Sequence, residues 1–144
     1  MTIRPFVEAD TEAIVTLWNA AGLVKPWNDP YRDIERKLAV QPELFLVAEA
    51  GDGTVVGTAM VGYEGHRGWV NYLAVADPAR GTGLGRALMR QAERLLIERG
   101  CPKLNVQVRT ANTEVLAFYE RLGYAIDDAV SLGRRLIADT PAVG

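Results

Sequence analysis

Apolar residues along the chain recur with two different periods, and each period predicts one kind of element. Ile14, Leu17, Trp18 and Ala21 follow one another at helical intervals, which places them on one face of a helix. Leu44–Ala50 is apolar almost throughout and has the length of a strand. Along the whole chain the pattern predicts an alternation of helices and strands, and hence a layered α/β or α+β domain.

Glycines and capping residues divide this pattern into elements. Asp10 and Asn112 are placed to cap helix starts, because a side-chain oxygen there can accept a free backbone N–H. Gly22, Gly100 and Gly123 are placed to end helices. The predicted elements, in chain order, are a strand at Thr2–Phe6, a helix after Asp10, a helix at Tyr31–Val40, strands at Leu44–Ala50, Thr54–Tyr63 and Trp69–Ala76, a helix at Leu84–Leu96, a strand at Leu104–Val108 and a helix from Asn112 to Leu122.

The connections between these elements predict how they are organised. Short turns join the second, third and fourth strands, which favours an antiparallel meander. The tail from Tyr124 to Ile137 is expected to supply one or two final strands. No long linker, repeat or low-complexity tract interrupts the chain, so we expect a single domain spanning residues 1–144.

The composition is that of a soluble globular protein and argues against several classes of function. Apolar residues make up 49% and charged residues 24% of the 144 positions. The net charge of −2 gives no global positive field, so we expect neither nucleic acid nor an anionic membrane as a partner. One histidine and one cysteine are too few for a His/Cys zinc site, although a magnesium site held by carboxylates stays open.

The same inventory predicts a cytoplasmic protein. Cys101 is the one cysteine of the chain, so no intrachain disulfide can form. The first residues lack the apolar core of a signal peptide, and no apolar run reaches the roughly 20 residues that span a bilayer. A reducing compartment is therefore the simplest expectation.

A glycine-rich turn between a strand and a helix is the most informative segment of the chain. Its residues are Arg80, Gly81, Thr82, Gly83, Leu84, Gly85 and Arg86. Free N–H groups at a helix start attract phosphate, and glycine lets the backbone approach a ligand closely. Arginine side chains add charge and can hold phosphate through two parallel hydrogen bonds. The turn therefore predicts a pyrophosphate site, and the alternative is a tight turn that binds nothing.

Two familiar nucleotide-binding turns fit this segment poorly. A nucleotide P-loop requires a lysine after its last glycine, and Gly85 is followed by Arg86. A dinucleotide-binding turn has its third glycine where Arg86 stands, and it usually follows the first strand of a chain. Three predicted strands precede the turn here, so both nucleotide readings are disfavoured.

Two motifs in order resemble those of the GNAT superfamily of N-acetyltransferases. Arg80, Gly83 and Gly85 match the family's acetyl-coenzyme A motif, Arg/Gln-x-x-Gly-x-Gly/Ala. The second motif is a helix opened by Asn112 and ending in Phe118-Tyr119-Glu120-Arg121-Leu122-Gly123-Tyr124. The resemblance runs from Ile3 to about Leu136. The segments at residues 26–30 and 65–68 further resemble the YpeA-type bacterial branch.

The resemblance implies a fold and a cofactor. The expected fold is a mixed, mostly antiparallel sheet flanked by helices, with the fourth and fifth strands splayed apart. Acetyl-coenzyme A would lie in this gap and leave as coenzyme A. Its pantetheine arm would pair with the backbone of Leu73, Ala74 and Val75, its pyrophosphate would sit over Arg80–Arg86, and Asn112 would hydrogen-bond it.

The resemblance also implies direct transfer, in which an amine attacks the thioester carbonyl and the thiolate leaves. Tyr119 aligns with the tyrosine that many relatives use to protonate that thiolate, and packing in the core is its alternative role. Gln107 stands where some relatives carry a glutamate that helps to deprotonate the amine, which argues against acetylation of protein N-termini. Glu64 and His66, in the turn before the fourth strand, are the remaining candidates for a base.

The acceptor pocket is expected in the loop between the first two helices. Trp27, Asn28, Asp29 and Tyr31 offer aromatic walls and an acidic contact for a cationic amine. A structural alternative is that Trp27 anchors the loop to the core and Asp29 caps the second helix. The acceptor itself, a small molecule or a peptide, is not readable from the sequence.

Three functions follow from these observations. The leading one is acetyl transfer to a primary amine, the second is transfer of another acyl group, and the third is coenzyme A binding for regulation without turnover. Relatives are often dimers, so a homodimer is an expectation of the resemblance, although no interface stripe is readable in the sequence.

Overall fold

The computed structural model describes residues 1–139 and confirms the predicted alternation of helices and strands. Five strands form one sheet in the order β1-β2-β3-β4-β5, in which β1 to β4 are antiparallel and β5 is parallel to β4. The elements are β1 Thr2–Pro5, α1 Thr11–Ala20, α2 Pro30–Leu38, β2 Phe45–Glu49, β3 Val55–Tyr63, β4 Gly68–Val75, α3 Leu84–Glu98, β5 Leu104–Val106 and α4 Thr113–Arg121.

Helices cover both faces of the sheet, and this explains why β2 is apolar without alternation. Phe45 and Val47 pack with α1 and α2 on one face, in a cluster that includes the fully buried Trp18. Leu46 and Ala48 pack on the opposite face against α3 and α4. Because both faces of β2 are covered, successive residues are buried alike. No helix within residues 1–139 is long and apolar enough to cross a membrane.

A β-bulge in β4 marks the place where the sheet opens. Met60 pairs with Asn71 and Thr58 pairs with Ala74, so two β4 residues lie opposite one residue of β3. Tyr72, one of those two, has a φ of 52°. A bulge bends its strand and increases the local twist.

β4 and β5 part just before this bulge, as predicted. β5 pairs only with residues 68–70 of β4, so within residues 1–139 no strand pairs with residues 71–75 on that side. We name the gap beside residues 71–75 the β4–β5 opening.

The predicted final strands are wrong within the described part of the tail. No strand lies between residues 124 and 139. Side chains hold the tail to the β5 segment instead: Asn105 donates to Asp127 at 2.7 Å, and Gln107 donates to Ser131 at 2.6 Å. The apolar residues that suggested strands remain at the surface, with Leu132 89% exposed.

Asp10 does not cap α1 with its side chain. Its carboxylate instead receives both guanidinium nitrogens of Arg4, at 2.8 and 2.9 Å, and the N–H of Val7 at 2.9 Å. The arginine ion pair lowers the pKa of Asp10. A charge-assisted pair across the first turn therefore takes the oxygens that a helix cap would need.

Candidate active site

The turn between β4 and α3 exposes a row of backbone donors. Gly81 and Gly83 have φ values of 77° and 85°, a backbone region that favours glycine. The first backbone hydrogen bond of α3 runs from the N–H of Ala87 to the carbonyl oxygen of Gly83, at 3.0 Å. Within residues 1–139, the N–H groups of residues 81–86 have no acceptor. We name these six groups the N–H cradle.

Side chains around the N–H cradle leave its outer side open. The Arg80 side chain is 62% exposed, and its Nε lies 3.2 Å from Asp77. Arg86 is also exposed, whereas Leu84 is buried in the core below. Thr82 donates its hydroxyl to the carbonyl of Ala79, which fixes the turn. The cradle is therefore flanked by two arginines and faces solvent.

Gly85, besides contributing an N–H group to the cradle, allows close packing of α4. A Cβ at this position would come within 3.1 Å of the Phe118 ring. This close contact brings α4 against the start of α3. The absence of a side chain at Gly85 is thus needed for this helix pair, and the contact of Gly85 with coenzyme A remains a prediction.

The unpaired edge of β4 supplies the third part of the site. Leu73, Ala74 and Val75 lie beside the β4–β5 opening, where β5 no longer uses their backbone groups. An unpaired strand edge is a template for an extended ligand that carries amides. Because the other edge of β4 is paired with β3, only the backbone groups that point away from β3 can serve as the predicted partners of a pantetheine arm.

Tyr119 lies on α4 in the same apolar cluster as Leu84. It is only 6% exposed, and its ring packs edge-on against Phe118 and Tyr124 at centroid distances of 5.1 and 5.5 Å. Burial raises the pKa of Tyr119 to about 12. Its hydroxyl makes no hydrogen bond to any residue that the structure describes. The phenol is thus a protonated donor whose hydrogen is free.

Asn112 caps α4, as predicted for its structural role. Its side-chain oxygen accepts the N–H of Val115 at 3.3 Å. Its additional contact with coenzyme A remains a prediction.

Glu64 and His66 lie at the other end of β4. The Glu64 carboxylate accepts the N–H groups of His66, at 2.6 Å, and Arg67, and these bonds lower the pKa of Glu64. The turn precedes Gly68, where β5 is still paired, and Tyr72 is about 13 Å further along at 3.3 Å per residue. The structure therefore gives Glu64 a turn-stabilising role and places neither residue at the β4–β5 opening.

Asp29 and Tyr31 have structural partners at the start of α2. The Asp29 carboxylate accepts the N–H of Tyr31 at 2.9 Å and so caps this helix. The Tyr31 hydroxyl donates to Glu12 of α1 at 2.9 Å. For Asp29, the geometry therefore supports the role of a helix cap, which the sequence offered as the alternative to contact with the acceptor.

Trp27, in contrast, does not anchor its loop in the core. Its side chain is 52% exposed, and the guanidinium of Arg109 lies 5.8 Å from the ring centroid. Asn28 accepts a hydrogen bond from Arg135 of the tail at 2.7 Å. Because Arg109 follows β5, its contact with Trp27 brings the α1–α2 loop close to the chain that leaves β5.

Sequence reasoning missed two residues of this region, Tyr72 of β4 and Asp33 of α2. Tyr72 stands in the bulge, and its hydroxyl donates to Asp33 of α2 at 2.5 Å. Burial and this hydrogen bond raise the pKa of Tyr72. The one available signal was the pair Asn71-Tyr72, which interrupts the apolar run of the strand.

Comparison with known proteins assigns this architecture to a family. The model of the acetyltransferase (GNAT) family matches residues 11–124. The chain belongs to the GNAT family of acetyltransferases. An acetyltransferase from Yersinia pestis (strain Pestoides F) is 52% identical over 139 residues, which cover 96% of this chain and 98% of the relative.

Solved structures agree with this assignment. Ard1 from Thermoplasma volcanium is 27% identical, with a TM-score of 0.75 over 88% of this chain and 83% of its own. Naa20 from Chaetomium thermophilum, solved with a bisubstrate analogue, is 25% identical, with a TM-score of 0.73 over 88% of this chain and 72% of its own. This GNAT protein is therefore an acyltransferase, an acetyl-coenzyme A-dependent N-acetyltransferase.

Proposed function

We propose that this GNAT acetyltransferase binds acetyl-coenzyme A with its pyrophosphate on the N–H cradle and transfers the acetyl group to a primary amine. The observation that carries the proposal is the row of six N–H groups, residues 81–86, that have no acceptor within the described chain. Unpaired N–H groups at a helix start carry partial positive charge and point at the ligand position. Arg80 and Arg86 add the charge that a pyrophosphate requires.

The rest of the coenzyme fits the β4–β5 opening. Its pantetheine amides would pair with the open edge of β4 at Leu73–Val75, and the acetyl group would then lie near the bulge. Backbone N–H groups at this edge can stabilise the oxyanion that forms on the thioester carbonyl.

Transfer requires one bond to form and one to break. The amine nitrogen attacks the thioester carbon, the carbon–sulfur bond breaks, and the proton lost by the amine passes to water. Tyr119, with a pKa of about 12, faces a thiol whose ordinary pKa is about 8.5. Full proton transfer would then be uphill by about 5 kcal/mol. We therefore assign Tyr119 a hydrogen bond to the leaving thiolate.

The acceptor, a small molecule or a peptide, would enter from the α1–α2 side, where Trp27 contacts Arg109 after β5 and Asn28 contacts the tail. The Naa20 structure with its bisubstrate analogue supports direct attack in a ternary complex, because such an analogue occupies both substrate positions together. Asp29 and Tyr31 shape this loop through their contacts with α1 and α2.

Thermal unfolding with different ligands tests the proposed coenzyme site. Acetyl-coenzyme A and coenzyme A should raise the melting temperature, whereas ATP and NAD at equal concentration should not. A ligand present at about 100 times its dissociation constant adds about 2.7 kcal/mol, which such a measurement resolves. The double variant Arg80→Ala/Arg86→Ala should lose much of this stabilisation, and Arg134→Ala, in the exposed tail, should keep it. No shift with either coenzyme form would refute the proposal.

A further inference from the structure

Tyr72 is held in a strained backbone conformation by three separate contacts. Its φ of 52° is unusual for a bulky residue. Its ring stacks on Trp18, with centroids 3.8 Å apart and planes 13° from parallel. Its carbonyl accepts the Thr58 hydroxyl at 2.8 Å, and its own hydroxyl donates to Asp33 at 2.5 Å. Ring, backbone and hydroxyl are therefore each fixed by a different element.

The residues that hold Tyr72 are themselves rigid. Trp18 and Thr58 are both fully buried, and the indole N–H of Trp18 donates to the Thr58 hydroxyl at 2.9 Å. On α2, the second carboxylate oxygen of Asp33 accepts a hydrogen bond from the Arg36 guanidinium at 3.2 Å. Strained residues persist only where their surroundings over-determine them, and they concentrate at functional sites.

The place that this arrangement fixes is the edge of the β4–β5 opening. Pairing with β5 ends at Val70, and the bulge that contains Tyr72 follows at once. The Tyr72 side chain belongs to the α1–α2 face, the side from which the acceptor would enter, whereas Leu73 belongs to the α3–α4 face. The Tyr72 ring is half-buried and the Asp33 side chain is 22% exposed, so neither residue is sealed inside the core.

We propose that the Tyr72 hydroxyl binds the acceptor amine and that Asp33 is the positioning residue that orients this hydroxyl. The inference rests on the proposed function and adds a residue to it. A phenol that donates its hydrogen to a carboxylate keeps its lone pairs as acceptors, and no described residue uses them. An incoming ammonium or amine N–H is the matching donor, and Asp33, itself held by Arg36, fixes the direction of the phenol's lone pairs.

The competing explanation is that the pair only braces α2 against the sheet. A brace would affect folding stability, whereas an amine-binding group would affect the acceptor KM and leave the acetyl-coenzyme A KM unchanged. The chain offers a matched control for this difference. Tyr124, also half-buried, donates its hydroxyl to Glu93 at 2.7 Å on the opposite face of the sheet.

The experiment compares Tyr72→Phe with Tyr124→Phe, since each removes one hydroxyl and keeps the ring. Acetyl transfer is measured with tyramine, cadaverine, spermidine and a short peptide with a free amino terminus. Tyr72→Phe should raise the acceptor KM at least about tenfold, and Tyr124→Phe should not. Asp33→Asn should act in the same direction, and its effect should not add to that of Tyr72→Phe.

Several results would overturn the inference. One is an acceptor KM in Tyr72→Phe that matches that of Tyr124→Phe, and another is a wild-type protein that acetylates none of these amines. Should Tyr72→Phe fail to fold, Asp33→Asn on the helix surface gives the same comparison. Retained stabilisation by acetyl-coenzyme A in that case would show that the coenzyme site stands while the assignment of Tyr72 fails.

Discussion

Tyr119 and Tyr72 lie on opposite faces of the sheet and differ in what their hydroxyl groups contact. Tyr72 donates to Asp33, whereas Tyr119 donates to no described residue. Burial raises the pKa of both phenols, that of Tyr119 to about 12, so both stay protonated at neutral pH. The free hydrogen of Tyr119 suits a developing thiolate, and the free lone pairs of Tyr72 suit an amine.

Replacing Tyr119 with phenylalanine should lower kcat without destabilising the protein. Loss of one hydrogen bond to the thiolate should reduce kcat about 10- to 100-fold. The free energy of unfolding should change by less than about 0.5 kcal/mol, since the hydroxyl has no partner in the described chain. Steady-state kinetics and urea unfolding measure the two effects, and an unchanged kcat would remove Tyr119 from the chemistry.

Asp29→Ala and Trp27→Ala should separate stability from acceptor binding in one loop. Asp29 caps α2, so its loss should cost about 1 kcal/mol of unfolding free energy. Trp27 is half exposed, so its loss should leave stability nearly unchanged and raise the acceptor KM. Urea unfolding and acceptor titrations check both. A large loss of stability in Trp27→Ala would contradict this division.

At the scale of elements, two glycines share a left-handed backbone conformation but lie in different turns, Gly83 before α3 and Gly53 between β2 and β3. Gly83 and Gly53 have nearly equal φ values, 85° and 87°, and neither has an atom within 4 Å of an added Cβ. An alanine at either position is therefore strained in the same way but not crowded. Only Gly83 belongs to the N–H cradle, which makes the two a matched pair.

Gly83→Ala should weaken coenzyme binding, and Gly53→Ala should not. Both should lose about 1–2 kcal/mol of stability, because alanine is disfavoured in a left-handed conformation. Relief of that strain at residue 83 would rotate the adjacent N–H groups and reduce affinity for coenzyme A at least about tenfold. Isothermal titration with coenzyme A provides the measurement. Equal affinities in the two variants would argue against the cradle.

The elements that sequence reasoning predicted well are those with local signals. Asn112 marks a helix start through its side-chain cap, Gly100 marks a helix end through its left-handed conformation, and the apolar period of α3 is visible in any short window. The strands predicted for the tail do not form, and Val130 and Leu132, on either side of Ser131, are 85% and 89% exposed. Alternation predicts a strand only when a neighbour strand buries one face, and that condition lies outside the segment itself.

At the scale of the whole molecule, some residues of the candidate site carry a local sequence signal, whereas others are brought together only by the fold. The N–H cradle and Tyr119 lie within short motifs, so both were predictable as candidates. Tyr72 meets Asp33 across 39 positions, and Arg36 meets Asp139 across 103. Nothing local in the sequence indicates those contacts, because the fold alone brings the residues together.

The end of the described tail ties the acceptor side of the molecule together. The Asp139 side chain is 1% exposed, and its carboxylate forms ion pairs with Arg36 at 2.5 Å and with Arg135 at 3.1 Å. It also accepts the N–H of Asp29 at 2.9 Å. Arg135 in turn contacts Asn28, so the tail, α2 and the α1–α2 loop form one polar network.

Asp139→Asn should destabilise the protein in a pH-dependent way. The hydrogen bond to Arg36, reinforced by the Asp29 N–H, holds the pKa of Asp139 well below its usual range. A lowered pKa means that the carboxylate stabilises the fold above the unfolded-state value of about 3.9 and loses this effect as the pH falls. The wild type should therefore unfold at higher urea than Asp139→Asn at pH 7, and the difference should shrink at pH 3.

Asp127→Asn supplies the control for this prediction within the same tail. Asp127 also has a lowered pKa, because Lys103 lies 2.7 Å away, but its side chain is 43% exposed. Exposed ion pairs contribute little to stability, so this variant should resemble the wild type at both pH values. If Asp139→Asn matched Asp127→Asn at pH 7, the tail would not hold the α1–α2 loop. Since Asn28 contacts the tail, a real loss at Asp139 should also raise the acceptor KM.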